Sequence, residues 1–140
     1  MIEWLILALA FGGLIISLYF TFAYYGRVKK SRWIPEIFCA REGSSCVTVV
    51  QTPYARVFGV PNSLLGVLYY AALIGWVVAG SMLRIAWLSW ALIAVGVATV
   101  ALGFYLVYAL RRILYIDCPL CYTAHAINAA LLILLILQAR

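Results

Sequence analysis

The sequence predicts an all-α integral membrane protein, a bundle of four transmembrane helices with a long loop between helices 1 and 2. The chain has 140 residues, of which 68% are hydrophobic and 10% are charged. Soluble domains are about 45–50% apolar and about 25% charged. The four uncharged stretches are each about 20 residues or longer, enough to cross about 30 Å of hydrocarbon as helices. Soluble enzymes, nucleic-acid binders and disordered tails are therefore disfavoured.

The uncharged stretches locate the helices within a single transmembrane domain spanning residues 1–140. They are continuously apolar rather than alternating, which favours helices over barrel strands. The first is not a cleavable signal peptide, because it lacks a basic leading segment and its apolar run is too long. Helices 2 and 3 are joined only around Arg84, as a tight hairpin, and helices 3 and 4 by residues 111–117. The predicted helices cover about residues 4–25, 64–83, 85–110 and 119–139.

Two local patterns describe how these helices begin and pack. Pro61-Asn62-Ser63 predicts the start of helix 2, with Asn62 or Ser63 as its N-cap. Gly96, Thr99 and Gly103 form a stripe of small residues on helix 3, which is typical of close contact between helices. Tyr69 and Tyr70 are expected to pack in the core, with a place in the lining of a pocket as the alternative.

The loop at residues 26–63 is too long for a simple turn, and such loops are usually functional. It carries Cys39 and Cys46. Its apolar pieces, Trp33-Ile34 and Val57-Phe58, indicate short segments that lie on the membrane surface or over the bundle. Because four spans put both termini on one side, this loop shares the other side with the connection between helices 3 and 4.

The second cysteine pair, Cys118-Pro119-Leu120-Cys121, has a redox spacing at the opening of helix 4. Pro119 suits the first helical position, which places Cys118 near the N-cap and Cys121 in the first turn. The positive end of the helix favours a thiolate there. The positive charges of Arg111 and Arg112 would also stabilise this thiolate, whereas the negative charge of Asp117 would destabilise it. The alternatives are a structural disulfide or a zinc site, although the six residues between Cys39 and Cys46 fit zinc poorly.

Two cysteine pairs on one membrane face suggest a relay by thiol–disulfide exchange. Electrons would run from the thiols of a partner to Cys39/Cys46, then to Cys118/Cys121, and then to a quinone in the bilayer. No nucleotide-binding glycine fingerprint is present, so NAD or flavin chemistry has no support. We predict no metal and no nucleic-acid partner.

The sequence resembles the vitamin K epoxide reductase family, including its prokaryotic disulfide-forming members, over nearly the whole chain. The resemblance lies in three places. They are the loop cysteines Cys39 and Cys46, the second of which follows Ser45, the run Phe58-Gly59-Val60-Pro61-Asn62-Ser63-Leu64-Leu65-Gly66, and the motif Cys118-Pro119-Leu120-Cys121. The unrelated bacterial four-helix quinone–disulfide enzymes carry their Cys-x-x-Cys in the first loop and match less well.

The resemblance implies a four-helix bundle that encloses a quinone of the menaquinone or ubiquinone type. It makes Cys121 the nucleophile near the quinone and Cys118 the partner that exchanges with a loop cysteine, with Cys39 and Cys46 as the shuttle pair. Asn62 matches a family asparagine that hydrogen-bonds the quinone carbonyl. Prokaryotic relatives often carry a fused thioredoxin-like domain. Since this sequence ends at Arg140, we expect a separate thioredoxin-like partner.

His125 and Asn128 follow Cys121 by four and seven residues, on the same helix face. Polar groups within a span usually face the bundle interior and are functional candidates. Vertebrate members of the family carry a tyrosine at the place of His125, and it contacts the quinone. His125 would donate a hydrogen bond or a proton to the ring, whereas the alternative is that both residues merely tie helices together.

The basic residues are unequally divided between the two membrane faces. Arg84 and Arg140 lie on the face opposite the cysteines, and the positive-inside rule puts the richer face in the cytoplasm. Familiar family members instead place their cysteines outside. Because intracellular disulfides are common in hyperthermophiles, we expect an inverted member that forms disulfides on the cytoplasmic side. The alternative is an extracytoplasmic loop that binds lipid headgroups or an acidic partner. The cysteine-bearing face carries Arg27, Lys29, Lys30, Arg32, Arg41, Arg56, Arg111 and Arg112.

The predicted activity is that of a quinone-dependent thiol–disulfide oxidoreductase that generates protein disulfides. Reduction of a quinone or a quinone epoxide is the alternative physiological direction. A structural membrane protein with stabilising disulfides is the alternative class. A small transporter subunit would need a charged group in the middle of a span, and Glu3 lies at an end.

Overall fold

The computed structural model describes residues 1–27, 45–80 and 86–139, without the side chains of residues 45–47. Cys39, the Trp33-Ile34 segment and the Arg84 connection therefore lie outside the described residues. Most of the described chain is helical. The helices are α1 (Ile2–Tyr24), α2 (Ser45–Gln51), α3 (Asn62–Val78), α4 (Ala86–Tyr108) and α5 (Pro119–Gln138).

Three helical segments of the described chain are long and apolar enough to cross a membrane: α1, α4 with the turn that continues it to Leu114, and α5. Helix α3 is also apolar but has 17 residues. The predicted class, a helical membrane protein, is confirmed at this level.

Predicted helix boundaries differ from the structure in α3 and α4. Helix α3 ends at Val78, short of the predicted end near residue 83. Helix α3 begins at Asn62 with Pro61 in the N-cap position, and no side chain caps it, so the predicted N-cap at Asn62 or Ser63 is wrong. Helix α4 continues past residue 110 through a π-helical turn, Ala109–Leu114, in which Arg111 and Arg112 are exposed. Long basic side chains are tolerated at the end of an apolar helix because their charged ends can reach water. Tyr115, in the left-handed region at φ 52°, ends this turn.

A small hairpin leads into α3. A 3-10 turn, Pro53–Ala55, precedes the antiparallel strands β1 (Arg56–Val57) and β2 (Val60–Pro61), in which Val57 pairs with Val60. Phe58 and Gly59 form the turn at φ 52° and 79°, a left-handed pair that matches the twist of a two-residue hairpin. Phe58 is fully exposed at the tip, while the hairpin places Asn62 at the top of α3.

Helix α1 lies between α3 and α5, and α4 packs against α5. These are the closely packed pairs of long helices in the described chain, and α3 with α4 is not among them. Two apolar clusters fill the bundle. One, around Tyr70, Leu73 and Leu131, lies away from the cysteines, and the other contains Cys118 and Cys121. The space between α3 and α4 holds the cavity described next.

Candidate functional site

The Cys-x-x-Cys motif opens α5 as predicted. Cys118 occupies the N-cap and Pro119 the first helical position. The Cys118 sulfur accepts a hydrogen bond from the backbone N–H of Cys121, with 3.4 Å between Sγ and N, and lies 2.6 Å from the Cys121 sulfur. Both side chains are buried, Cys118 completely. The two sulfur atoms therefore lie close enough to interconvert between dithiol and disulfide with little movement of the backbone.

The environment of Cys118 favours its thiolate. The Cys121 thiol donates a hydrogen bond to the Cys118 sulfur, and this contact does most to hold the pKa of Cys118 below its ordinary value. The backbone N–H groups of Leu120 and Cys121 add to the lowering, whereas burial opposes it. Helix-terminal N–H groups act here as the predicted source of positive potential.

Arg111, which is expected to favour the thiolate, contacts Tyr122 beside the motif. Its guanidinium lies over the ring of Tyr122 at 5.3 Å from the ring centre, and its Nε donates to the Tyr122 hydroxyl at 3.4 Å. That hydroxyl donates to Asp117 at 3.1 Å. The three exposed or half-exposed side chains thus form a polar cluster on the surface beside the motif, in which Arg111 and Asp117 share a partner.

A cavity of about 550 Å³ lies between the helices and reaches Cys121. Cavities of about 300–1,000 Å³ are typical of small-molecule sites. Its walls are mostly apolar, and Cys121 lines it. Leu65 and Leu68 of α3 and Val95 of α4 also line it while being exposed on the outer surface. The cavity therefore opens sideways between α3 and α4, toward the region that lipid would occupy.

The three polar residues predicted to bind a quinone all line this cavity. Asn62 is the first residue of α3 and follows the N-cap position, which Pro61 occupies, so the plain N-cap interpretation is not supported. Nδ1 of His125 is buried without a hydrogen-bond partner among the described residues. Asn128 accepts one hydrogen bond through Oδ1, and its Nδ2 donates to no described residue. The cavity thus combines apolar walls with unused polar groups, a composition that fits an apolar ring bearing carbonyl oxygens.

The small-residue stripe on α4 makes the predicted close contacts. A Cβ added at Gly103 would lie 2.8 Å from Nδ1 of His125, and one at Gly96 would lie 3.2 Å from Leu132 of α5 and 3.1 Å from the Tyr69 hydroxyl. The absence of side chains at these positions lets α5 and the ring of His125 approach α4. Gly103 therefore helps to define the position of His125 in the cavity wall.

Tyr69 and Tyr70 are buried in the core, as predicted, and they also line the cavity. The Tyr70 hydroxyl donates to Oδ1 of Asn128 at 2.6 Å. The sequence pattern did not indicate this pairing, because the residues are 58 positions apart and tyrosine is an ordinary core residue. Ser17, which belongs to no motif, and Ser63 are further polar residues of the cavity wall.

The shuttle cysteines are only partly described. Cys39 lies outside the described residues, and Cys46 lies in the first turn of α2, with its side chain outside the description. Helix α2 packs against α1 and is held there by the Gln51 side chain, which donates to the Tyr24 carbonyl oxygen at 3.1 Å. Val49 and Val50 of α2 belong to the same buried cluster as Cys118 and Cys121. The backbone of Cys46 thus lies in a short helix that packs beside the redox pair.

Comparison with known proteins agrees with this site. The model of the vitamin K epoxide reductase family matches residues 4–136, a range that includes both cysteine pairs and all three polar cavity residues. A search of curated proteins finds no match to the chain. The chain therefore belongs to the vitamin K epoxide reductase family, whose members are membrane oxidoreductases that use vitamin K or another quinone.

Proposed function

We propose that the protein is a membrane thiol–quinone oxidoreductase that generates protein disulfides. Electrons pass from a separate thioredoxin-like protein to Cys39/Cys46, then to Cys118/Cys121, and finally to a membrane quinone of the menaquinone or ubiquinone type. One observation carries the proposal: Cys121 and three polar groups line a single apolar cavity, and the Cys118 sulfur lies 2.6 Å from the Cys121 sulfur.

The cavity suits a quinone ring with an apolar tail. When bound, the quinone supplies a two-electron acceptor next to Cys121. Oxidation of the two thiols to one disulfide releases two electrons and two protons, and reduction of the quinone to a quinol consumes both. Asn62, His125 and Asn128 would orient the ring through hydrogen bonds to its oxygens, with His125 also placed to donate a proton. The sideways opening between α3 and α4 leaves room for the tail.

The loop cysteines would return the Cys118–Cys121 disulfide to its dithiol form by thiol–disulfide exchange. A loop thiolate attacks the Cys118 sulfur, the bond between Cys118 and Cys121 breaks, and the second loop thiol then resolves the mixed disulfide. Two features support Cys46 as the residue that meets Cys118. It precedes Val49 by three residues in α2, and Val49 packs in the cluster that holds Cys118.

The membrane arrangement is also proposed. We infer that α3 crosses the bilayer together with the three longer helices, although its 17 residues extend only about 25 Å at 1.5 Å per residue. A short span is accommodated by local thinning of the bilayer. With four spans, the termini share one side and both cysteine pairs share the other.

For sidedness, we propose the inverted arrangement, in which the cysteine-bearing face is cytoplasmic. Four arginines described on that face, Arg27, Arg56, Arg111 and Arg112, are exposed, and the positive-inside rule favours the cytoplasm for them. Labelling of intact cells with a membrane-impermeant maleimide tests this arrangement. We expect Cys39 and Cys46 to react only after the cells are permeabilised, and reaction in intact cells would overturn the inverted arrangement in favour of the extracytoplasmic one.

The activity is tested with purified protein in proteoliposomes, a reduced thioredoxin-like protein and either menaquinone or ubiquinone. We expect oxidation of the dithiol with stoichiometric quinol formation, and its complete loss in both Cys118→Ser and Cys121→Ser. The two variants serve as controls for each other. When the loop pair is first oxidised with diamide to a Cys39–Cys46 disulfide, the Cys118 thiolate of Cys121→Ser attacks it and releases one loop thiol. The resulting mixed disulfide should accumulate and be visible by mass spectrometry, whereas Cys118→Ser should not form it.

Three results would contradict this proposal in different ways. Absence of dithiol oxidation with either quinone would rule out the enzyme. Activity retained in Cys121→Ser would favour a structural role for the disulfides. Reduction of a quinone epoxide at a rate above that of disulfide formation would favour the opposite physiological direction.

A further inference from the structure

Tyr70 is the most buried polar residue in the cavity wall. Its side chain is 2% exposed. The ring lies against Gly13 of α1, where a Cβ would overlap it, and a Cβ at Gly66 would lie 3.7 Å from it. Helix α1 thus leaves a slot for the ring at Gly13, and the Tyr70 hydroxyl lies within hydrogen-bond distance of Asn128 on α5.

At that position the hydroxyl donates a hydrogen bond to Oδ1 of Asn128 at 2.6 Å, its one partner within the described parts of the chain. Asn128 lines the cavity. Because a carboxamide has one oxygen and one NH₂ group on opposite branches, a bond that holds Oδ1 against Tyr70 also determines where Nδ2 lies. Nδ2 donates to no described residue and is not among the enclosed polar atoms that lack a partner. The two N–H groups of Nδ2 therefore point into space that solvent or a ligand can reach.

Resting on the quinone function proposed above, we propose that Tyr70 is a positioning residue that fixes the Asn128 carboxamide so that Nδ2 donates to an oxygen of the quinone ring. Without the hydroxyl, the carboxamide rotates freely, and in half of its orientations it presents Oδ1 to the quinone. Two acceptor oxygens then face each other, and the hydrogen bond is lost. The bond matters more as the ring is reduced, because negative charge grows on the oxygen that accepts it.

The test is Tyr70→Phe, which keeps the ring in its slot and removes only the hydroxyl. We expect the KM for the quinone to rise about 5- to 10-fold, in line with the loss of one buried hydrogen bond. Exchange of the Cys118–Cys121 disulfide with a reduced dithiol, measured without quinone, should not change. Tyr108→Phe is the matched control, since Tyr108 is 59% exposed on α4 and does not line the cavity.

A double-mutant cycle separates positioning from packing. If Tyr70 acts through Asn128, the variant Tyr70→Phe/Asn128→Ala should have the same quinone KM as Asn128→Ala alone. Additive effects of the two substitutions would overturn the proposal, as would an unchanged KM in Tyr70→Phe.

A second readout does not depend on turnover. The infrared carbonyl stretch of carbonyl-labelled quinone bound to the wild-type protein should lie at lower frequency than that of the free quinone, and Tyr70→Phe should reduce this shift. An identical shift in both proteins would contradict the role of Tyr70. Failure of the wild-type protein to bind the quinone or to oxidise the dithiol would instead reject the proposed function itself.

Discussion

The sulfur atoms of Cys118 and Cys121 lie 2.6 Å apart at the N-terminus of α5, with the Cys121 thiol as donor and Cys118 as acceptor. The asymmetry assigns different chemistry to the two residues. Cys118 is the more acidic thiol, suited to exchange with another cysteine, whereas Cys121 lines the cavity in which we place the quinone.

This asymmetry predicts the pH dependence of the reduced motif. In the Cys39→Ser/Cys46→Ser background, the thiolate absorbance of Cys118 should persist below the ordinary cysteine pKa of about 8.5 and disappear as the pH falls through the lowered value. In Cys121→Ala, the hydrogen bond that contributes most to the lowering is lost, so the midpoint should move to higher pH. Ultraviolet titration against a Cys118→Ser blank measures both midpoints, and equal midpoints would contradict the assignment.

A second prediction concerns the slot for Tyr70. Gly13→Ala should destabilise the protein by about 1–3 kcal/mol, the usual cost of overpacking a tight core, because the added methyl group would overlap the Tyr70 ring. Thermal unfolding in detergent measures the effect. Gly75→Ala is the matched control, since a Cβ there has nothing within 4 Å and the unfolding midpoint should not fall. Equal behaviour of the two variants would show that the Tyr70 slot tolerates a side chain.

The third prediction concerns the wall behind His125. Gly103→Ala places a methyl group 2.8 Å from Nδ1 of His125, so the imidazole must move. We expect the quinone KM to rise several-fold while exchange between the cysteine pairs continues at the wild-type rate. Gly12→Ala, whose added Cβ would make an ordinary 3.7 Å contact with Ile127, should leave both quantities unchanged. A quinone KM unaffected by Gly103→Ala would argue that the ring of His125 does not contribute to binding.

The fourth prediction concerns a polar contact between α1 and α3. The Thr21 hydroxyl lies 2.7 Å from the Ser17 carbonyl oxygen and 3.1 Å from the Ser63 hydroxyl. Thr21→Val should reduce the free energy of unfolding by about 0.6 kcal/mol, the average for hydrogen bonds between membrane helices. Thr21→Ser keeps the hydroxyl and should lie closer to the wild type. Denaturant unfolding in mixed micelles distinguishes them, and a larger loss in Thr21→Ser would mean that the methyl group matters more than the hydrogen bond.

Local features of the fold were predictable because their causes are local. The uncharged stretches identified the long helices, and Pro119 between the cysteines identified the first turn of α5 together with the N-cap position of Cys118. The predictions for the start of α3 and the end of α4 were less accurate. Asn62 is the first residue of α3 instead of its N-cap. Helix α4 is followed by a π-helical turn that contains Arg111 and Arg112, beyond the apolar stretch.

The sequence by itself determined that this is a helical membrane protein with a redox motif at a helix opening, and its motifs selected Asn62, Cys121, His125 and Asn128. Only the tertiary structure decided that these four residues share one cavity, that α3 and α4 stay apart to open it, and that Tyr70 is bound to Asn128. The physical reason is that the opposite faces of each helix differ little in hydrophobicity. Lipid is as apolar as the bundle core, so hydrophobicity does not reveal how each helix is rotated. That rotation depends on the fit of large side chains against small ones, as with Tyr70 at Gly13 and His125 at Gly103.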